Sequence, residues 1–209
     1  MHYTRPKPSA LMSFVRLFIA LVIAFPASVW GNPNLGQVIA GSASISSRGN
    51  TLSVIQTSNN AIINWHGFSI SQGELTQFQQ PSAASAVLNR VTGGDPSSIY
   101  GTLQANGKVF LINPNGIMVG PTGVINTQSF IASTLDVDNA QFMAGGGLVF
   151  AGSSLAGIIN AGKINALGGD VLLIAHTVQN TGQMVAADGT AAMAAGSEVL
   201  FQPAGTERV

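Results

Sequence analysis

The sequence predicts an all-β protein wound as a parallel β-helix, and three observations carry that prediction. Short stretches such as 51–57 (TLSVIQT) and 74–80 (ELTQFQQ) alternate polar with apolar residues, the period of two of a strand buried on one side. Turn-forming clusters at 46–50, 57–60, 71–73, 93–98 and 105–107 separate such stretches, so strands recur every eight to fifteen residues. The C-terminal third repeats itself: shifted by twenty residues, 160–175 (NAGKINALGGDVLLIA) falls on 180–195 (NTGQMVAADGTAAMAA). Few segments read as helix.

The first element is a leader. Arg5, Lys7 and Arg16 precede nine uninterrupted apolar residues, 17–25, and Pro26 ends the run. These are the regions of a secretory signal peptide. At about 1.5 Å per helical residue the run spans roughly 14 Å, against a hydrocarbon core of about 30 Å, so it predicts an export signal and no permanent membrane span. Cleavage after Gly31 divides the chain into a signal peptide, 1–31, and a mature domain, 32–209.

The mature strands need many tight turns and little charge, and the composition agrees. The 209 residues are 46% hydrophobic and 8% charged, with 25 glycines and a net charge of zero. Length suffices for one domain with a sizeable core. A neutral chain carries no basic footprint for nucleic acid. No cysteine is present, which fits a chain that crosses a narrow pore unfolded; disulfides are otherwise available to exported proteins.

Midway, the run 109–120 (VFLINPNGIMVG) sets two apolar blocks around Asn113, Pro114, Asn115 and Gly116. Pro114 holds φ near −65°, suited to the second position of a type I or II turn, Asn113 can bond its own backbone, and Gly116 suits the fourth position. Two-residue hairpins need positive φ where Pro114 stands. The flanking strands are therefore expected to meet at a corner, as consecutive sides of one coil.

The repeat supplies the coil. Asn160 lands on Asn180, Gly162 on Gly182, Ala166 on Ala186, Gly169 on Gly189 and Ala175 on Ala195. Ile164, Val171 and Ile174 fall over Met184, Ala191 and Met193 or Ala194. A period near twenty suits a solenoid. The Leu-x-x-Leu-x-Leu frame of leucine-rich repeats is missing, and a β-sandwich would need the five agreements to be chance. In a β-helix, small apolar residues fill the interior and asparagines stack in ladders at the corners.

Taken together, 61–70 (AIINWHGFSI), 85–120 and 125–137 (INTQSFIASTLDV) resemble the secretion domain of two-partner secretion exoproteins, the family of filamentous haemagglutinin and the high-molecular-weight adhesins. The matching motifs are Asn89-Arg90-Val91-Thr92, Gly-x-Leu at 101–103, and Asn113-Pro114-Asn115-Gly116-Ile117, in this order. The resemblance spans roughly 35–202. It implies a right-handed parallel β-helix with an N-terminal cap and extra-helical strands. It also implies a partner: the POTRA domains of an outer-membrane β-barrel transporter, which recognise the domain in the periplasm and start export of a longer exoprotein to the cell surface or the medium. A second family motif, Asn-Pro-Asn-Leu, is absent upstream of Asn89, where the chain reads QQPSAASAV; the NPNL at 32–35 stands elsewhere and is read as coincidental. That pattern resembles the adhesin branch. The close of the chain at GTERV, without a polar cap, is read as a fragment, a truncated reading frame or a stand-alone remnant.

Other chemistry finds little support. Hydrolytic β-helices need clustered carboxylates. Here Glu74, Asp95, Asp136, Asp138, Asp170, Asp188, Glu198 and Glu207 are scattered, and Asp136 with Asp138 reads as a solvated strand end. Asp170 and Asp188 sit in turn-like contexts. His66 and His176 lack metal-ligand spacing. The glycines 145–147 read as a flexible loop, and Trp65 and Phe68 as packing residues of a cap or strand face, with sugar stacking as the alternative. The expectation is a binding module, not an enzyme, without cofactor or metal. The rival readings are a stand-alone adhesin with a host-surface or glycan ligand, and the delivery arm of a contact-dependent toxin.

Overall fold

The computed structural model describes residues 31–202; the leader predicted for 1–31 lies, apart from Gly31, outside the described residues. The strands run in chain order β1 (Gln37–Ala40), β2 (Ala43–Arg48), β3 (Thr51–Gln56), β4 (Asn60–Trp65), β5 (Leu75–Gln79), β6 (Ala86–Val91), β7 (Ser97–Ile99), β8 (Thr102–Ala105), β9 (Lys108–Ile112), β10 (Ile117–Val119), β11 (Val124–Thr127) and β12 (Ser129–Ser133). A short helix α1 (Asn139–Ala144) and β13 (Leu148–Ala151) follow. The chain resumes with β14 (Gly157–Asn160), β15 (Lys163–Ala166), β16 (Val171–Ala175), β17 (Thr177–Asn180), β18 (Gln183–Ala186), β19 (Ala191–Ala195) and β20 (Glu198–Phe201).

The strands form a parallel β-helix with three faces. Face I stacks β3, β5, β8, β11, β15 and β18; face II stacks β4, β6, β9, β12, β16 and β19; face III stacks β7, β10, β14 and β17. Consecutive strands of the chain step from face to face, and each pairs in parallel with its counterpart one coil away. The predicted repeat is the register of the last coils: Asn160 pairs with Asn180, Ile164 with Met184, Val171 with Ala191 and Ile174 with Ala194. The expected asparagine ladder is present, Asn160 Nδ2 donating to Asn180 Oδ1 at 2.8 Å.

Inward side chains stack in columns. On face II one column reads Ala61, Val87, Val109, Phe130, Val171 and Ala191. Its neighbour reads Ile63, Asn89, Leu111, Ala132, Leu173 and Met193, with one polar member. Trp65 and Phe68, each 1% exposed, fill the N-terminal end edge to face, with ring centroids 5.8 Å apart. Both are thereby excluded as sugar-stacking platforms.

The N-terminal end is closed by antiparallel pairing, which removes open edges. β1 pairs antiparallel with β4, and β2 with β3. The β2–β3 hairpin turns on Gly49 (φ +57°) and Asn50, the two-residue loop that a proline could not make. The NPNL at 32–35 belongs to this cap: Asn32 Nδ2 donates to the Asn50 carbonyl and its Oδ1 accepts from Thr76, while Asn34 bridges Gly67.

Face II is buried on both sides. Its outward column Ile62, Leu88, Phe110, Ile131 and Leu172 lies under an extra-helical cover of α1, β13 and β20, with β13 and β20 paired antiparallel. Phe142 of α1 meets Phe110 edge to face at 5.2 Å. Burial on two sides explains why 109–112 is apolar at every position instead of alternating. The helix starts at Asp138, whose carboxylate accepts from the Gln141 amide, and ends at Gly145 (φ +74°). Two expectations are corrected here: 136–138 is a helix entry and not a solvated strand end, and Gly145 is a helix cap. In the 93–98 cluster, Ser97 and Ser98 already belong to β7.

At the corner from face III to face I the backbones of successive coils touch. A Cβ on Gly123 would strike the carbonyl of Ile99, on Gly162 those of Gly120 and Gly123, and on Gly182 that of Gly162. Gly123→Ala should therefore lower unfolding free energy by about 1–3 kcal/mol, the range for overpacking, as measured by urea denaturation. Phe110→Ala, which opens the outer core, should cost about 3–5 kcal/mol in the same measurement.

Candidate functional site

The turn at 113–116 is the corner that carries the third coil from face II to face III, as Pro114 predicts. Asn113 is fully buried, and every polar atom of its side chain is used. Its Nδ2 donates to the Asp95 carbonyl at 3.0 Å and to Ser97 Oγ at 2.9 Å. Its Oδ1 accepts from the backbone N–H of Asn115 at 2.9 Å, and from Asn115 Nδ2 at 3.2 Å. The Gly116 amide closes the turn on the Asn113 carbonyl at 3.1 Å. Gly116 has φ +110°, a conformation glycine adopts without strain.

Both asparagines also reach down one coil. Asn115 Nδ2 donates to the Gly93 carbonyl at 2.9 Å, and the Gly116 carbonyl accepts from the Ser97 amide at 3.0 Å. Upward, the Asn113 amide donates to the Ser133 carbonyl of the fourth coil at 3.0 Å. Ile117, 3% exposed, pairs with Ser97 below and Ile158 above. Pro114 and Asn115 alone of these five residues face solvent.

The Asn89–Thr92 motif splits its side chains across β6. Asn89 points inward: its Oδ1 accepts from Trp65 Nε1 at 2.9 Å and its Nδ2 donates to the Phe110 carbonyl at 3.2 Å. This satisfies a buried indole N–H that apolar neighbours would leave orphaned. Val91 is buried in the core, and Thr92 Oγ1 donates to the Trp65 carbonyl at 3.0 Å. Arg90 points outward and grips the start of the cover. Its guanidinium meets the Asp136 carboxylate at 2.8 Å, and donates to Asn139 Oδ1 and to the Val137 carbonyl.

The two motifs meet in one groove. Arg90, Val91, Ile112 and Pro114 form one side, and Thr134, Asp136 and residues 151–154 the other, around a space of about 330 Å³. Ser154 Oγ donates to the Pro114 carbonyl at 2.6 Å, tying the cover to the corner. Sequence reading missed Asp136, Asn139 and Ser154 as partners of the motifs. The Asp-x-x-Gln at 138–141 is a helix-start signature and was the available signal for the cover; nothing local pairs residue 90 with residue 136.

The remaining polar residues lie apart from this groove. Glu74 accepts from the Ser71 amide and Asp170 from the Thr190 amide, as turn-stabilising carboxylates. His66 and His176 are exposed on different coils. Among the described residues no group of three or more His, Cys, Asp or Glu forms a metal-binding cluster, and no helix is long and apolar enough to cross a membrane.

A three-faced β-helix with an antiparallel N-terminal cap, an extra-helical cover and an Asn-Pro-Asn-Gly corner anchored by a buried asparagine defines a secretion-domain type of β-solenoid. The comparisons agree. The TPS secretion domain family model matches residues 32–207, and the chain belongs to that family of two-partner secretion domains. The HMW1 secretion domain of Haemophilus influenzae has a similar structure, with a TM-score of 0.74 and 37% identity over 81% of this chain and 46% of that one. The filamentous hemagglutinin secretion domain shares the fold, with a TM-score of 0.57 and 18% identity over 77% of this chain and 64% of that one. A heme/hemopexin-binding protein of Haemophilus influenzae is 41% identical over 112 residues, 54% of this chain and 12% of that protein. The chain thus spans about an eighth of that relative.

Asn113→Asp puts carboxylate oxygen against the Asp95 carbonyl and should cost about 1–3 kcal/mol, the penalty of an unsatisfied buried group. Asn115→Asp, at the exposed tip, should cost less than about 1 kcal/mol. Arg90→Ala should cost about 1–3 kcal/mol and open 134–156 to limited proteolysis; Arg90→Lys should restore little, since a lysine cannot fork to three acceptors.

Proposed function

We propose that this domain is the export module of a larger adhesin-type exoprotein, recognised in the periplasm by the POTRA domains of a partner outer-membrane transporter after a 1–31 signal peptide has directed it through the inner membrane. Its work is binding and templating, without catalysis. The observation that carries this reading is the burial of Asn113. A side chain with no exposed surface offers nothing to a partner once the corner has closed, whereas in the extended chain the whole 113–117 stretch and its apolar flanks are available. Open strands of this kind suit β-augmentation by a partner sheet. Recognition then precedes folding. Outside the cell, closure of the corner onto Gly93, Asp95 and Ser97 joins the third coil to the second and starts the stack on which later coils add. In solenoids each coil contacts only its neighbours, so folding propagates along the axis.

The test separates folding from export. Deleting 85–120 should abolish surface delivery when the partner transporter is co-expressed. Asn115→Asp should lower delivery while leaving the urea midpoint of the purified domain nearly unchanged, and purified POTRA domains should retain residues 32–209 more strongly when these are unfolded than when folded. Normal delivery of the deletion variant, or retention of the folded form only, would overturn the proposal.

A further inference from the structure

We propose that the outward side of face I is a binding surface for a neutral glycan, centred on a groove between its third and fourth coils. The outward column of this face reads Ser53, Gln77, Gln104, Asn126, Asn165 and Val185, one residue per coil in register. Gln77, Gln79, Gln104, Asn106, Asn126 and Leu167 line an open depression of about 390 Å³. Face II lies under the extra-helical cover, whereas among the described residues nothing covers this depression.

Hydrogen bonding divides these amides into fixed and free. Asn106 is fixed, its Oδ1 accepting from the Gln80 amide at 2.7 Å and its Nδ2 donating to the Gln80 carbonyl at 2.8 Å. Asn126 accepts from Asn165 Nδ2 at 2.8 Å, and its own N–H₂ donates to no group among the described residues. The Gln77, Gln79 and Gln104 side chains make no hydrogen bond among the described residues, and Gln77 is half-buried. Each free carboxamide offers a donor pair beside an acceptor, the complement of a sugar hydroxyl that both gives and takes a proton. Successive carboxamides stand one strand spacing apart, about 4.8 Å, so neighbouring coils address neighbouring hydroxyls of one chain. Leu167, 61% exposed, gives the groove an aliphatic wall for a sugar's C–H face.

The surroundings select against other partners. From β3 to β18 the strands of this face hold no carboxylate and one cation, Lys163, at the start of β15 and away from the groove. An anionic polymer would find little charge to pair with. The backbone ladder here is consumed between strands, so an added peptide strand has no edge to join.

Affinity electrophoresis of the full chain tests this, through gels containing yeast mannan, dextran or galactomannan, with a heparin gel as the anionic arm. Retardation is expected in at least one neutral gel and not in heparin. Gln77→Ala/Gln104→Ala should weaken it about fivefold or more, the loss of about 1 kcal/mol for a single hydrogen bond. Gln179→Ala, on face III, should leave it unchanged. Unaltered circular dichroism and melting temperature confirm that the double variant folds; if it does not, Gln79→Ala takes its place. No retardation in any neutral gel, retardation that the variants keep, or retardation in heparin alone would overturn the proposal. The variants should be exported like the parent, so this outcome and that of the export test are independent.

Discussion

Stacking in register is the constraint on which the rest of this domain depends. Parallel strands about 4.8 Å apart leave no slack at the corners, where the chain has no regular ladder to hold it. Each corner must return the next strand at the right height while satisfying its own N–H and C=O groups. The domain meets this demand differently at its three edges. Between faces III and I, glycines let one backbone rest on the next. Between faces I and II, buried glutamines reach into the turn: Gln56 Nε2 donates to the carbonyls of Ser58, Asn59 and Ala86, and Gln80 to that of Ser85. Between faces II and III, in the third coil, Asn113 binds its own turn and the corner beneath it at once.

What was legible in the sequence follows from that periodicity. The twenty-residue repeat became the register of β14–β19 without a slip, because a coil that must sit on its neighbour repeats its spacing in the chain. Pro114 told corner from hairpin by fixing one dihedral angle. The extra-helical strands were expected from the family resemblance alone; their place was not legible in the periodicity, since they interrupt the repeat between β12 and β14 and their anchors are distant. Arg90 finds Asp136 only after two further coils have been wound. Strand β7 was hidden for another reason. Ser97 is polar yet wholly buried, because Asn113 supplies its partner from the coil above.

The apolar blocks around the corner also gain an account. β9 is lined by the inner core on one side and the cover on the other, so polar alternation would have buried polar side chains against one or the other. One motif residue, Asn89, breaks the inner column, and it does so where the Trp65 indole needs an acceptor. In these two motifs Asn89 and Asn113 are polar groups sealed inside the solenoid, and Arg90 fastens its cover.

That cover has an order of assembly written into its topology. β13 leaves the stack in the fourth coil, but its partner β20 arrives only after the fifth and sixth coils have been laid down. A chain delivered from its N-terminus must wind those coils while Leu148 and Phe150 still lack the strand that pairs with them. The outer sheet is thus a late clasp, which can fasten only after β19 has been laid down on the stack.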